Sequence, residues 1–304
     1  MGSQIRERLY IAGGPGGDSI GPKVHEYVAS TLGLKYSCQF LQLEVVEDVV
    51  ELFRKPDFAG GLVTMPHKRT IVPYLDQYDD LVTILGACNC VYLSRDGKLH
   101  GTNTDWVGIH DTIVAATPDH QPGRIGMVYG AGGASRAAIY ALWVSLKCSK
   151  VYLVNRDEVE VREVFEEIHR VPAKYFPEVV HVKTVAQCAS LAAPYYTVCT
   201  VPDFQPATFK ELEASDVFQT FLKKGSGEGG LVLDMCYHPR ITRNLKMADQ
   251  YGYRMIQGHT VSAAQFAVQW NLWTRQDITM QPVFDMVERL VREKEAALVA
   301  TEVH

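Results

Sequence analysis

The sequence predicts an α/β protein of two domains, each built around a largely parallel sheet. Three observations carry this reading. Short apolar runs alternate with helical patterns up to about residue 110. The segment "ATPDHQPGR", Ala116 to Arg124, holds two prolines and a glycine and interrupts them. A second α/β pattern then starts, opening on a glycine-rich turn, and 304 residues suffice for two ordinary domains with buried cores.

Leu9–Ile11 reads as the first strand, followed by the turn "GDSIGPKVH" and a helix over Pro22–Leu32. Pro22 suits a first helical position, where its missing N–H costs nothing. Ser37–Leu43 and Gly61–Met65 read as strands flanking a helix at Val46–Phe53. Val91–Ser94 and Lys98–His100 form a hairpin across Asp96-Gly97, a pair that suits a type I′ turn. Asp105–Ala116 is helical, with Trp106, Ile109, Ile113 and Val114 on one side.

Beyond the break come a strand at Ile125–Tyr129, a helix through Leu146 and a strand at Val151–Asn155. Gly225–Gly230 is a flexible loop before the strand Leu231–Asp234. Pro282–Leu298 is an amphipathic helix whose Val283, Met286, Val287, Leu290 and Val291 recur at three or four. It is expected to return to the first domain. The expected division is therefore 1–116 plus about 275–304 for one domain, and 117–274 for the other.

Thirty Lys and Arg against 35 Asp and Glu leave a net charge of −5 with no long basic run, which excludes a nucleic-acid footprint. No apolar stretch approaches the roughly 20 residues of a membrane span, and the N-terminus lacks an apolar signal core. The seven cysteines are scattered, and the C-x-C at Cys88 and Cys90 has no second metal-spaced pair. Reduced thiols, a cytoplasmic setting and no metal are the expectations. Composition gives no oligomeric state.

"MVYGAGGASRA" places Gly130, Gly132 and Gly133 between a predicted strand and a predicted helix. The first glycine permits the tight turn, the second lets backbone amides approach a pyrophosphate, and the helix start supplies partial positive charge. The third position of the usual pattern carries Arg136 rather than glycine. This predicts a Rossmann-like dinucleotide-binding domain. Its second strand ends "VYLVNRD", where the adenosine ribose is met. Asp157 can accept from a free 2′-hydroxyl and would repel a 2′-phosphate, whereas Arg156 can do the reverse or stack on the adenine. NAD is favoured, with NADP possible, because a carboxylate beside a phosphate costs more than an arginine beside a hydroxyl.

"VTMPHK" sets Lys68 just after a buried strand, "GTNTDW" sets Asp105 just before a helix, and "GACNC" places Asn89 between them. Singly, these read as a solvated lysine, a helix cap and a turn residue. Together they resemble the shikimate/quinate dehydrogenase family. The stretches that carry the resemblance are Thr64-Met-Pro66-His-Lys68, Gly86-Ala-Cys-Asn89, Asn103-Thr-Asp105, Gly130 through Ala137, Asn155-Arg156, Asp234-x-x-Tyr237-x-Pro239, and Gln265 seven residues after Gly258. They occur in order from about Leu9 to Trp273. "MPHK", "NRD", "VPDF" and "MCYHP" are most similar to the fungal quinate/shikimate branch, which includes the dehydrogenase-like domain of quinate-pathway repressors.

The resemblance implies an N-terminal, mainly parallel α/β substrate domain and a Rossmann-like domain, with the ring acid held in the cleft. It implies Lys68 and Asp105 as the catalytic pair, and Ser19, Thr64, Asn89, Tyr237 and Gln265 as substrate contacts. Gly130, Gly132, Gly133, Ser135, Arg136, Asn155, Arg156 and Thr200 would surround the cofactor, with Asp157 joining them from the residue reading. Oxidising a ring alcohol sends hydride to the nicotinamide and needs a proton acceptor within hydrogen-bond reach. A carboxylate beside the Lys68 amine favours its charged form; burial and the cationic nicotinamide ring favour the neutral one.

The family's turn usually reads S-x-S-P, both serines holding the ring carboxylate. Here Ser19 matches the first and Gly21 replaces the second, so one charge-assisted bond, roughly 1.5–3 kcal/mol, is expected to be missing. Asp18 would repel the same carboxylate. Phe266 stands where glycine or alanine usually follows the glutamine, narrowing the pocket wall. The expected function is an NAD(P)-dependent oxidoreductase acting on quinate or shikimate, either weakly or with a shifted substrate that uses the space beside Gly21. The alternative is a catalytically impaired, dehydrogenase-like domain of a fungal repressor that senses ring acids, in which case the location is nuclear. A nucleotide-binding structural module is the weakest reading, since it leaves Lys68, Asn89, Asp105 and Gln265 unexplained together.

Overall fold

The computed structural model describes residues 7–14, 19–119, 122–172, 174, 178–276, 278–279 and 281–302. Through residue 104 the chain forms β1 (Arg8–Gly13), α1 (Gly21–Thr31), β2 (Ser37–Gln42), α2 (Val46–Phe53), β3 (Phe58–Val63), α3 (His67–Thr70), β4 (Gln77–Tyr78), α4 (Asp80–Leu85), β5 (Cys90–Leu93) and β6 (Leu99–Thr102). Next come α5 (Asp105–Ala116), β7 (Ile125–Tyr129), α6 (Ser135–Tyr140), β8 (Lys150–Val154), α7 (Glu158–His169) and β9 (Val179–His181). They are followed by α8 (Val185–Ser190), β10 (Tyr196–Cys199), α9 (Phe209–Lys224), β11 (Leu231–Asp234), α10 (Arg243–Gln250) and β12 (Arg254–Ile256). The last helices are α11 (Gly258–Thr274) and α12 (Gln281–Glu302). No helix among the described residues is long and apolar enough to cross a membrane.

Two compact units result: residues 1–104 with 263–304, and residues 105–262. The division expected from the sequence falls at 116/117 and about 274/275. The first boundary moves because α5 packs on α6, β11 and β12 of the second unit. The second falls inside α11, whose residues from Ala263 onward bury themselves in the core of the first unit.

The first unit holds a six-stranded sheet in the order β2-β1-β3-β5-β6-β4. β1 is parallel to β2 and β3, whereas β5 runs antiparallel to β3 and β6. Alternate residues of β1 face opposite sides, and both sides are covered, which is why it reads as a continuous apolar run. Leu9 and Ile11 join Val24, Val28, Phe266, Trp270, Val283 and Val287, contributed by α1, α11 and α12. Tyr10 and Ala12 join Val49, Phe53, Val63, Ile71 and Val82 on the other face. The β5–β6 hairpin departs from the expected turn. Gly97 N–H bonds Ser94 O and Ser94 N–H bonds Lys98 O, with Gly97 at φ 81° and Asp96 outside the left-handed region. This is a three-residue loop ending in a left-handed glycine, not a type I′ turn.

The second unit holds a wholly parallel sheet in the order β12-β11-β10-β7-β8-β9. Read from the other edge this is the doubly wound order, which reverses between β7 and β10; ligands bind at such a switch point. Stacked rings pin α9 to the sheet, Tyr129 on Phe218 at 5.0 Å and Tyr152 on Phe221 at 5.3 Å. α6 runs on through one π-helical turn, Ala141–Ser145. On α5, Ile109 and Ile113 are fully buried, but Val114 is 37% exposed.

A buried polar pair sits inside the α1–α11 packing. Trp270 Nε1 donates to His25 Nδ1 at 3.0 Å, and both residues are 0% exposed. Burial pushes His25 down to about 3, so the ring stays neutral and its nitrogen can accept. Trp270→Phe removes the donor and leaves that nitrogen unsatisfied in an apolar site. The expected loss is about 1–3 kcal/mol, read as a lower urea midpoint for the first unit. An unchanged midpoint would show that the bond contributes nothing.

Candidate active site

In the first unit the site residues gather around the C-terminal ends of β1 and β3. Thr64 N–H bonds Ala12 O at 2.9 Å and Gly14 N–H bonds Met65 O at 2.7 Å, so the two strand ends are stitched together. The Met65–Pro66 peptide is cis, and α3 starts directly after it. His67 is buried and its Nε2 donates to Leu43 O at 2.7 Å, anchoring α3 to the segment after β2. Lys68 O accepts from Cys88 N at 2.7 Å. Lys68 is therefore held by its backbone from two directions, while its side chain is half-buried.

Asn89 is 4% exposed, and its amide grips Thr104. Its Oδ1 accepts from Thr104 N at 2.7 Å, and its Nδ2 donates to Thr104 Oγ1 at 3.1 Å. Gln269 Nε2 donates to the same hydroxyl at 3.0 Å. Asn103 Nδ2 donates to Ala87 O at 2.9 Å. This web fixes the chain that leads into Asp105, the buried first residue of α5. Gln269 was not singled out from the sequence. Its signal was its place one helical turn after Gln265, on the same face of α11. Gln265 itself is half-buried.

Ser19 Oγ accepts from Gly21 N at 3.1 Å at the start of α1. The space beside Gly21 is not open. A Cβ placed there would lie 2.5 Å from Ile11 Cδ1 and 3.1 Å from Ser19 Oγ, with Phe266 Cζ at 4.0 Å. A substrate shifted into that space would have to displace the Ile11 side-chain end. Pro22 occupies the second helical position, after Gly21, rather than the first. Asp18 lies outside the described residues.

In the second unit the glycine turn follows β7. Gly130 has φ 121°, and a Cβ there would meet Thr200 Oγ1 at 2.4 Å, so Thr200, just after β10, closes over it. Gly132 and Gly133 differ. Neither has a left-handed φ, and nothing lies within 4 Å of a Cβ built on either. The fold itself gives no reason for glycine at these two positions. A diphosphate laid against bare backbone does, and the residues present fit that group. Ser135 Oγ donates to Gly132 O at 2.7 Å and fixes the turn against α6.

The charged residues around this turn are already partnered. Arg136, expected at the cofactor, is 8% exposed and paired with Glu167 of α7, so it ties two helices together. Asn155 Nδ2 donates to Glu160 Oε2 at 2.8 Å and to Asp157 O at 3.0 Å. Asp157 Oδ1 caps α7 by accepting from Val159 N at 2.7 Å. Arg156 is paired with Glu211 of α9.

Tyr237 sits on the loop between β11 and α10, against His238 at 4.5 Å, and the His238–Pro239 peptide is cis. Asp234 organises this loop. Its Oδ1 accepts from Cys236 N at 2.9 Å, and its Oδ2 accepts from Thr242 Oγ1 at 2.7 Å and from Asn244 Nδ2 at 3.2 Å. Burial outweighs these three bonds and pushes the carboxyl up to about 6.

Comparison with known proteins agrees with this architecture. Residues 11–91 match the family model "Shikimate dehydrogenase substrate binding domain". Quinate dehydrogenase of Emericella nidulans is 33% identical over 296 residues, spanning 90% of this chain and 89% of that protein. The chain belongs to the shikimate/quinate dehydrogenase family. It is a dehydrogenase by that membership. The pentafunctional AROM polypeptide of Schizosaccharomyces japonicus is also 33% identical, over 94% of this chain but only 18% of its own length. The dehydroquinate dehydratase and shikimate dehydrogenase structure from S. pombe AroM superposes with a TM-score of 0.77 at 28% identity, covering 92% of this chain and 52% of that one.

As a member of this dehydrogenase family, the chain adds one support residue that the motif left without a role, Asp234. Its folded-state pKa is raised, so folding binds its proton more tightly than the unfolded chain does. The stability it contributes is full below about pH 4 and is lost as pH rises through about 6. Asp234→Asn should remove about 2–3 kcal/mol of that slope between pH 4 and 7. Tm against pH for both proteins checks it, and parallel curves would refute the assignment.

Proposed function

We propose that this chain interconverts the ring alcohol of quinate or shikimate and the corresponding ketone, with NAD preferred over NADP as hydride carrier. The glycine turn carries the reading: Gly132 and Gly133 have bare backbone facing open space at the switch point of a doubly wound sheet. Bound there, a nicotinamide cofactor supplies the hydride acceptor. The amides of the turn and the start of α6 would hold its diphosphate, with Thr200 closing behind Gly130. The Asp157 carboxylate beside the ribose favours a free 2′-hydroxyl, and this supports NAD.

Lys68 and Asp105 are the proposed acid–base groups. Loss of hydride from the carbinol carbon leaves the hydroxyl proton to be taken up; the Lys68 amine accepts it, and Asp105 orients or shares it. The Asn89–Thr104 web supports this by holding the backbone on both sides of the motif. Thr64, Gln265 and Tyr237 are proposed to bind the ring hydroxyls, and Ser19 the carboxylate. Asn89 is proposed to act mainly through Thr104, given the bonds it makes.

One observation favours a second reading. The Ile11 methyl occupies the place of the family's second serine, so the carboxylate grip is weaker. A repressor-type sensor that binds ring acids without turning them over is consistent with that loss. Absorbance of the reduced nicotinamide with quinate or shikimate against NAD or NADP separates the two. Turnover is expected, fastest with NAD. Binding of ring acid without turnover at millimolar substrate would instead support the sensor.

Lys68→Ala should lower kcat by about 10²–10⁴-fold while dinucleotide binding persists; retained turnover would remove Lys68 from the chemistry. Gly21→Ser alone must push Ile11 aside, whereas Ile11→Val deletes the obstructing carbon. The double variant should lower KM for the ring acid about tenfold, and further than Gly21→Ser alone. Equal KM values in both would show that the second serine adds no grip here.

A further inference from the structure

The turn after β8 carries a charge arrangement that the family motif does not explain. Arg156 is the one cation in residues 155–157, and its guanidinium Nη1 is paired with Glu211 Oε1 across from α9. Glu211 is placed for this by its own helix. It is the third residue of α9, and with Thr208 it forms a capping box. Its Oε2 accepts from Ala207 N and Thr208 N, both at 2.9 Å, which turns Oε1 toward Arg156. Those backbone bonds, led by Thr208, and the guanidinium hold the Glu211 carboxyl down at about 2, so it is charged throughout the physiological range. Gly130 N–H bonds Val154 O at 2.8 Å, and Arg156 follows two residues after Val154. The pair therefore stands beside the turn, not on a remote surface.

At the turn after β8, where the sequence expects the adenosine ribose to be met, Glu211 is set against Arg156, and Asp157 is the next residue in the chain. Glu158 and Glu160 follow in the first turn of α7. A 2′-phosphate needs a cation with donors to offer. Arg156 has one arm already held by a carboxylate.

We propose that Glu211 is a selectivity residue for the cofactor: by pairing with Arg156 it withholds that arginine from a 2′-phosphate and adds a second carboxylate near Asp157, so that NAD is taken over NADP. The proposal rests on the reading of the glycine turn as a dinucleotide site. Glu211 acts through Arg156 and is a positioning residue.

The test is calorimetric binding of NAD and of NADP to the whole chain, as wild type, Glu211→Gln, Arg156→Gln and the double variant. Glutamine retains the capping box, and an unchanged Tm verifies that α9 is intact. In Glu211→Gln the ratio of Kd for NADP to Kd for NAD should fall about tenfold, through tighter NADP binding that weakens with added salt. The shift should vanish in the double variant. A ratio within twofold of wild type in Glu211→Gln, or a shift that persists without Arg156, overturns the proposal. Wild-type protein that binds neither dinucleotide overturns the underlying site reading, and the proposal falls with it. A purely structural role for Glu211 would weaken both cofactors alike, and that outcome also counts against it.

Discussion

The first unit depends on one buried interaction, the grip of the Asn89 amide on Thr104. Asn89 sits between β3 and β6 in the sheet: Val63 N–H bonds its carbonyl at 2.9 Å, and its own N–H bonds Thr102 O at 3.1 Å. Its side chain then closes on the backbone amide two residues further along that neighbouring segment, and Gln269 of α11 closes on the same threonine. One residue before Asn89, Cys88 N–H holds the carbonyl of Lys68. Two consecutive residues thus hold both segments: Cys88 the chain at the lysine, through its backbone, and Asn89 the chain entering Asp105, through its side chain. Such a network is costly to break, because each freed group would stay buried without a partner.

The second unit achieves positioning differently, with backbone instead of side chains. Gly130 allows β7 to turn within reach of Thr200, and beside the next two glycines nothing in the fold fills the space a side chain would take. The side chains nearby serve mainly to hold elements together. Arg136 joins α6 to α7, Asp157 caps α7, and Asp234 shapes the Tyr237 loop. A diphosphate is recognised by amides and a helix start, so cationic side chains are not required at the turn.

Much of this was legible in the sequence, for definite physical reasons. β1, β3, β7 and β8 are apolar because both faces of their sheets are covered, whereas β2 is an edge strand with a single buried residue, Cys38; α2, α5 and α12 show a helical period. β4 is two exposed residues, Gln77 and Tyr78, and carries no pattern to read. The hairpin turn was misjudged because Asp-Gly serves both a two-residue loop and a longer loop ending in a left-handed glycine. The domain boundary was misplaced because the prolines and glycine mark where the chain turns, not where packing divides. Arg136 and Glu167 are 31 residues apart, as Gly21 and Ile11 are joined only through packing of α1 on β1. No local pattern announces a partner that distant in the chain, so a lone arginine in a glycine motif reads as a ligand contact.

The filled site beside Gly21 bears on how the proposed reaction is divided between binding and chemistry. Exchanging a serine for glycine could have left a void, but Ile11 Cδ1 occupies it, so the unit keeps its packing density. On the proposed reading, what the exchange removes is a polar contact to a carboxylate, a group that does not react. An interaction with such a group is made equally in the bound substrate and in the transition state, so its removal raises KM and leaves kcat alone. A deficit of roughly 1.5–3 kcal/mol then means about one to two decades of affinity. The Lys68 and Asp105 segments keep their buried supports, so nothing in this exchange disturbs the groups assigned to the proton. The weakened grip is therefore compatible with an enzyme working at high substrate concentration.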